Sequence, residues 1–590
     1  MRTGVTRPHP LAVTGSIIRG TSGLFPLSPR RSGESVGRAP ARLWHRAGMG
    51  LPASGPRRPV AARPEGADPG PDRTLPAILV GWCAVAWGIA AKDGRYGAWA
   101  MAAVLLGTAA AAFATVRHRP PSESSVSASA GVAAGRGRAW GNAWLLVAIT
   151  VGLGPIVRHP RYYAAGPLAA AADALAIVAG LLAAAVLVAL SARPARGRPV
   201  PAGLAAARRV LGSPALFWVV LGLAGAAGVA TIRAAPAPRI DVFHLLQVST
   251  SGLAHGADMY RQQWAPSRAA YPVDGLFDVY PYLPLTSVLL APSRLLLGDV
   301  RYGLLLALAA AAICARRLAT GPRGGDGTVR DGGAGDAGAG GAGRGGADGR
   351  VVAVAVLPLL VVILPESMYA LQQSWTEPLL VACLAAMVLA VRGGHGRTAV
   401  VALALALATK QHIALLLPVA AAWPRFGPRR TAVAAGAAAL LVVPWVLAGP
   451  GDFVDDAVWT NLHYRVLGHS LSVPGWASHF GVTLGFAPAV VALVAAYAAA
   501  WRARGDATGF CLGAALVLLA VDLMNKQTFF NHYTLPMGLL VLAAAAVGSG
   551  RGGQDAGVPA QAAAGQGSAA GEPGAAGQRR VEKRSSDAPS

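Results

Sequence analysis

The chain has 590 residues, 54% of them hydrophobic and 13% charged, against roughly 25% charged in ordinary soluble domains. That excludes a soluble globular enzyme and an intrinsically disordered protein, because apolar stretches recur from about residue 75 to residue 549 and many can span a bilayer core of roughly 30 Å. The net charge of +25 is no nucleic-acid footprint: the arginines cluster in the N-terminal arm and in short loops, as in cytoplasmic loops of membrane proteins, without the aromatic–basic interleaving that stacks bases.

Residues 1–74 hold 12 Arg against four acids and read as a disordered, basic, cytoplasmic arm; no apolar run there precedes a small-residue cleavage site. Apolar segments follow near 75–91, 98–116, 143–157, 167–191, 213–232, 281–297, 302–316, 351–364, 378–391, 398–409, 411–424, 431–448, 484–501, 507–524 and 533–549. Residues 318–350 form a Gly/Asp/Arg-rich loop without Gly-Lys-Ser or Gly-Lys-Thr, which excludes a Walker phosphate cradle. Residues 550–590 read as a second disordered tail. Cys83, Cys314, Cys383 and Cys511 all lie within apolar segments, so neither a disulfide framework nor a zinc site is expected.

Basic loops set the orientation. Placing Arg117 and Arg119, Arg136 and Arg138, and the run from Arg193 to Arg209 in the cytoplasm puts the N-terminus inside and the loop 233–280 outside; both termini fall inside once 281–297 does not cross. Arg158 and Arg161 then fall outside against the rule. Arg316, Arg317, Arg392, Arg397, Arg425, Arg429, Arg430, Arg502 and Arg504 fall inside only if 281–297, with Pro281, Pro284 and Pro292, does not cross. The expectation is an all-α polytopic membrane protein with about 12 to 14 crossings.

This topology gathers the polar groups on the outer face. Asp241 and His244 open the first long loop, and Asp278, Tyr280 and Tyr282 close it. Glu366, Gln372, Gln373, Trp375 and Glu377 come next. Thr409-Lys410-Gln411-His412 separates two half-length apolar segments. Asp452 to Trp476, with Arg465 and His469, and then Asn525-Lys526-Gln527-Thr528-Phe529-Phe530-Asn531-His532-Tyr533, complete the set. Taken singly, Asp241 fits a solvated loop as well as a site, Lys410 fits a snorkelling side chain, and the tryptophans fit an interfacial belt. No His or Cys spacing marks a metal site.

An acid just after an early span in a long extracytoplasmic loop resembles the integral-membrane glycosyltransferases of the GT-C superfamily. Tyr280-Pro-Tyr282-Leu-Pro284-Leu resembles the Tyr/Pro motif that begins their juxtamembrane helix. Ala408-Thr-Lys410-Gln411 with Leu417-Pro418 resembles a helix-end Lys motif of the group. The Asn525–Tyr533 stretch is similar to the late Gln/Asn/Tyr loop of family 87, the polyprenyl-phosphate-mannose-dependent mannosyltransferases. The resemblance covers roughly 213–549, with 75–212 as extra N-terminal transmembrane helices. Tyr282 breaks the tandem-proline form, and the second outer loop has no Asp-x-Asp.

The resemblance implies a GT-C-like bundle with juxtamembrane helices in the first outer loop. It implies an enzyme of the cell membrane and cell envelope that moves a mannose or another hexose or pentose from a polyprenyl-phosphate donor to a glycolipid, polysaccharide or protein acceptor, with inversion. Asp241 is then the candidate base and Glu377 the second catalytic carboxylate. Lys410, His412, Arg465, Lys526 and His532 are donor-phosphate candidates, and His244, Tyr280, Tyr282, Glu366, Gln411, Asn531 and Tyr533 are sugar or acceptor candidates. No cofactor beyond the lipid-linked donor is expected, and no divalent cation is indicated. The competing reading is a secondary transporter or lipid-linked-sugar flippase, which would place charges on broken helices near mid-membrane and show repeated halves.

Overall fold

The computed structural model describes residues 73–119, 137–157, 164–191, 202–211, 213–238, 240–262, 279–320, 355–364, 367–463 and 465–549. Among them every regular element is helical, and the sole β feature is an isolated bridge between Arg95 and Ser470. The order opens with α1 Thr74–Ala90, α2 Ala98–Arg117, α3 Gly137–Val157, α4 Gly166–Ser191, α5 Ala202–Leu211 and α6 Pro214–Ala234. It continues with α7 Asp241–Leu253, α8 Leu285–Leu297, α9 Arg301–Thr320, a 3-10 turn Leu357–Val361, α10 Ser367–Gln372, α11 Glu377–Arg392 and α12 Gly396–Thr409. A 3-10 turn Gln411–Leu416 leads into α13 Leu417–Ala422, followed by α14 Gly427–Ala448 and α15 Pro450–Val454. A π-turn Asp455–Trp459 then leads to α16 Thr460–His463, α17 Val473–Ser478, α18 Ala487–Ala503, α19 Ala507–Met524 and α20 Phe530–Ser549.

Seven of these helices (α2, α4, α6, α9, α14, α19 and α20) are long and apolar enough to cross a membrane. The protein is therefore a helical, membrane-embedded chain. Burial separates helices of similar composition: α14 keeps 17% of its apolar window inside the protein and α19 keeps 83%. Thus α14, with Leu440 and Leu447 exposed, is a peripheral helix, whereas α19 and α20 are central. Small residues let neighbouring backbones approach, the usual device where lipid removes the hydrophobic drive between helices. A Cβ on Gly107 of α2 would sit 2.9 Å from the Gly81 carbonyl oxygen of α1, and one on Gly88 would sit 3.0 Å from that of Ala100.

Segment 281–297 becomes α8, 13 residues long, or about 20 Å at 1.5 Å per residue, short of the roughly 30 Å hydrocarbon core. Gly298, at φ 79°, ends it. α8 packs along α7, a helix that the alternation of apolar and polar residues in 241–253 did not announce. In the apolar stretch 351–364 the described residues hold the helical Ala355 and the 3-10 turn Leu357–Val361. α5 was likewise unforeseen; it lies in a basic loop.

Polar bonds sort the helix ends into two groups. At one end His118 after α2 meets Asp506, the N-cap of α19, at 2.9 Å. There Arg392 donates to the Leu318 carbonyl, Arg316 to that of Pro214 and Arg208 to that of Ala189. A Cβ on Gly396 would meet the Arg430 guanidinium, and Trp423 stacks on Phe510. At the other end Arg301 reaches the Ile232 carbonyl, Arg261 pairs with Asp452, and Tyr96 N–H donates to the His469 carbonyl. Lys410, Glu377, Tyr280–Leu283, Asp456 and Asn525–Asn531 join this second, polar end through the bonds described below.

Lys410 lies at the polar end, while Gly396 and Trp423, on either side of it, lie at the arginine end. The chain therefore turns back at Lys410: α12 and the stretch 411–422 run to and fro, and are not two halves of one crossing.

Candidate functional site

The site begins with two helix ends. Glu377 is the first residue of α11 and Lys410 follows the last residue of α12. A carboxylate at a helix N-terminus and an ammonium at a C-terminus both complement the helix dipole. α11 and α12 pack against each other, so the two ends meet, and Lys410 Nζ donates to Glu377 Oε1 at 2.6 Å. The pair is nearly enclosed, with side-chain exposures of 12% for Lys410 and 2% for Glu377.

Three further stretches complete the surroundings. The aromatic trio Tyr369, Trp375 and Phe530 clamps the start of α11 to the start of α20, with Trp375 stacked on Phe530 at 5.2 Å. That brings Asn531 Nδ2 to within 3.4 Å of Glu377 Oε1. Tyr282 presents its ring 5.7 Å from Lys410 Nζ. The Thr409 carbonyl, left open by the end of α12, accepts from Thr286 Oγ1 at 2.7 Å and from Leu283 N–H at 3.3 Å, which fixes the backbone at Lys410 to α8. Gln411 Nε2 donates to the Pro281 and Ala457 carbonyls. The charge on Lys410 also acts on Asp522, His412 and His532.

The ammonium has three hydrogens. One goes to Glu377, and the other two have no acceptor among the described residues. Glu377 Oε2 is likewise buried without a partner, as are polar atoms of Gln372, Gln373, Ser374 and Thr376 on the turn before it.

The other expected site residues are placed as follows. Asp241 and His244 share the first turn of α7, where burial pushes the Asp241 carboxyl above its ordinary range and the His244 imidazole below its own. Among the described residues no hydrogen bond or ion pair joins Asp241 to Lys410; the carboxylate that meets the ammonium is Glu377. α7 is nevertheless tied to the Tyr280 segment, through Ser249 Oγ to Ser287 Oγ at 2.6 Å and Ser287 Oγ to Tyr280 OH at 2.6 Å. Tyr280 is fully buried and Tyr533 OH donates to the Leu471 carbonyl, so both hydroxyls are engaged within the fold. Lys526 Nζ donates to the Leu462 carbonyl at an exposed position, and Arg465 lends its carbonyl to Gln527 in the same loop cluster. Glu366 and Asp278 lie outside the described residues.

Two carboxylates here received no role from the sequence. Asp522 sits in the last turn of α19, buried, within the field of Lys410 and Glu377, a single acid in an otherwise apolar run. Asp456 accepts from Tyr280 N–H at 2.7 Å. Burial, with Asp452, Asp455 and Asp258 nearby, pushes its carboxyl up to about 6, against the pull of that hydrogen bond. Its place among several acids in one loop concealed this.

No protein-family profile, no curated protein and no solved structure matches this chain.

Proposed function

We propose that this chain is an integral-membrane glycosyltransferase of the GT-C type, moving a sugar from a polyprenyl-phosphate donor to an extracytoplasmic acceptor hydroxyl. One observation carries the reading: of the four features on which the resemblance rests, the Tyr/Pro stretch touches the Lys410 stretch directly and Asn531 of the late loop reaches Lys410 through Glu377, although all three are far apart in sequence. Gln411 bonds Pro281, Lys410 faces Tyr282, and Asn531 and Lys410 share Glu377.

In this reading Lys410 stabilises the departing lipid phosphate with its two remaining hydrogens, the kind of positioned electrostatic contact that lowers a barrier most. Glu377 and Asn531 hold the ammonium in place. Asp241, made more basic by burial, takes the acceptor's proton as the acceptor oxygen bonds the anomeric carbon and the bond from that carbon to the phosphate oxygen breaks. The arginine end is cytoplasmic by the positive-inside rule, the polar end extracytoplasmic, and the helices make about fourteen passes. The reversal at Lys410 supports an enzyme over a transporter, because it removes the broken helix that a transporter reading needs there.

The test uses purified full-length protein with radiolabelled polyprenyl-phosphate mannose and candidate acceptors. Labelled product together with free lipid phosphate is expected. Uptake of label into proteoliposomes without covalent product would replace the enzyme by a transporter.

A further inference from the structure

We infer that a file of bound water runs inside the bundle between Glu377 and Asp173. Three cavities lie in series there. The first, about 30 Å³, is walled by Glu377, Ser367, Leu364 and Thr534. The second, about 20 Å³, shares Leu364 and Ser367 with it and adds Asp173, Ala176 and Met368. The third, about 10 Å³, shares Asp173, Ala176 and Met368 and ends at Thr231 and Ala164. Measured for the centre of a water-sized sphere, roughly 10–15 Å³ holds one water. Each cavity therefore takes one or a few waters, and none takes a sugar ring.

The walls specify the occupant's chemistry. Glu377 is 1% exposed, lines the first cavity, and has a buried carboxylate oxygen with no partner among the described residues. A buried charged acceptor left in this state is strongly unfavourable unless something donates to it. The hydroxyls along the way have spent their hydrogens on carbonyls: Ser367 on Leu364, Thr534 on Asn531 and Thr231 on Ala227. They too offer only lone pairs. Acceptors throughout, in spaces of this size, call for a small donor of hydrogen bonds, and water is the smallest that can also accept from the next in line. The file gives the Glu377 carboxyl a hydrated route that does not pass Lys410. The inference rests on the three cavities and on the unpaired Glu377 oxygen, and stands whether or not the protein transfers a sugar.

Hydroxyl radicals made from internal water by a short X-ray pulse provide the test, on the full chain in lipid nanodiscs. Met368 is 5% exposed, close to the 0% of Met387 and 1% of Met537, but it alone of the three borders the cavities. Its oxidation is expected to run about tenfold faster than theirs, because the radical forms beside it. Equal rates would overturn the water file. Ala176→Leu, which fills the wall shared by two cavities, is expected to bring Met368 down to the rate of the other two; a rate unchanged by the plug would also overturn it. If that variant exposes Met387 and Met537, Ala179→Val in the middle cavity makes the same comparison.

Discussion

The two ends of this bundle solve opposite problems with the same helices. At the arginine end, guanidinium groups are spent on backbone carbonyls, as with Arg392 on Leu318 and Arg316 on Pro214, and Arg392, beside the C-terminus of α9, also suits the helix dipole. At the polar end, Lys410 and Glu377 are withdrawn from water and depend on each other. The first arrangement tolerates loss of a member, because water replaces it. The second does not, because loss of either member leaves a buried charge.

The sharpest way to break that contrast is through activity. Under the proposed function, Lys410→Gln is expected to lower transfer by about 10²–10³-fold and Asp241→Asn by about 10²–10⁴-fold, in the radiolabel assay with rates taken per amount of folded protein. Near-normal turnover in the Asp241 variant would move the base to another carboxylate.

Stability comes next. Glu377→Leu alone should cost about 3–5 kcal/mol, whereas Glu377→Leu with Lys410→Met should recover most of it, since a buried ion pair is often replaceable by apolar residues of similar volume. Unfolding in mixed detergent micelles gives the cycle, and additive single losses would show the pair to be uncoupled.

A smaller effect is expected at Asp456. Its folded value of about 6 lies above the ordinary 3.8, so the protonated side chain stabilises the fold at acid pH and that contribution is lost as pH rises through about 6. Asp456→Asn should flatten the stability profile between about pH 4 and pH 7; thermal unfolding across that range decides, and an unaltered slope rules the assignment out. The smallest effect belongs to the arginine end. Arg316→Gln should cost under about 1 kcal/mol, and a loss matching that of Glu377→Leu would erase the distinction between the ends.

The helical membrane class was legible because runs of apolar residues exceed what a soluble core needs, and the shortness of the helix within 281–297 was foreshadowed by its prolines. Lys410, Gln411, Tyr282 and Asn531 were legible as polar interruptions at segment ends. The partner of Lys410 was not: Glu377 and Asp241 are each one acid at a helix start, and only the antiparallel packing of α11 on α12 selects between them. Asp522 was hidden because a single acid within an apolar run carries no direction, and α7 because a half-polar helix lying beside another has no strong period of its own. The seven long helices fall short of the 12 to 14 crossings expected, since α1, α12 and α18 have 14 to 17 residues and composition alone does not say how much thickness each must cover.

The bond from Thr286 to the Thr409 carbonyl has a mechanical consequence. α8 exposes Leu295, Leu296 and Leu297 near its far end, so its depth is governed by how the surrounding lipid packs. Because its near end grips the Thr409 carbonyl, a rise or tilt of α8 is transmitted to the backbone from which the Lys410 side chain springs. Bilayer thickness and lateral pressure thereby become variables of the geometry around Lys410, to be controlled in any reconstitution as carefully as temperature.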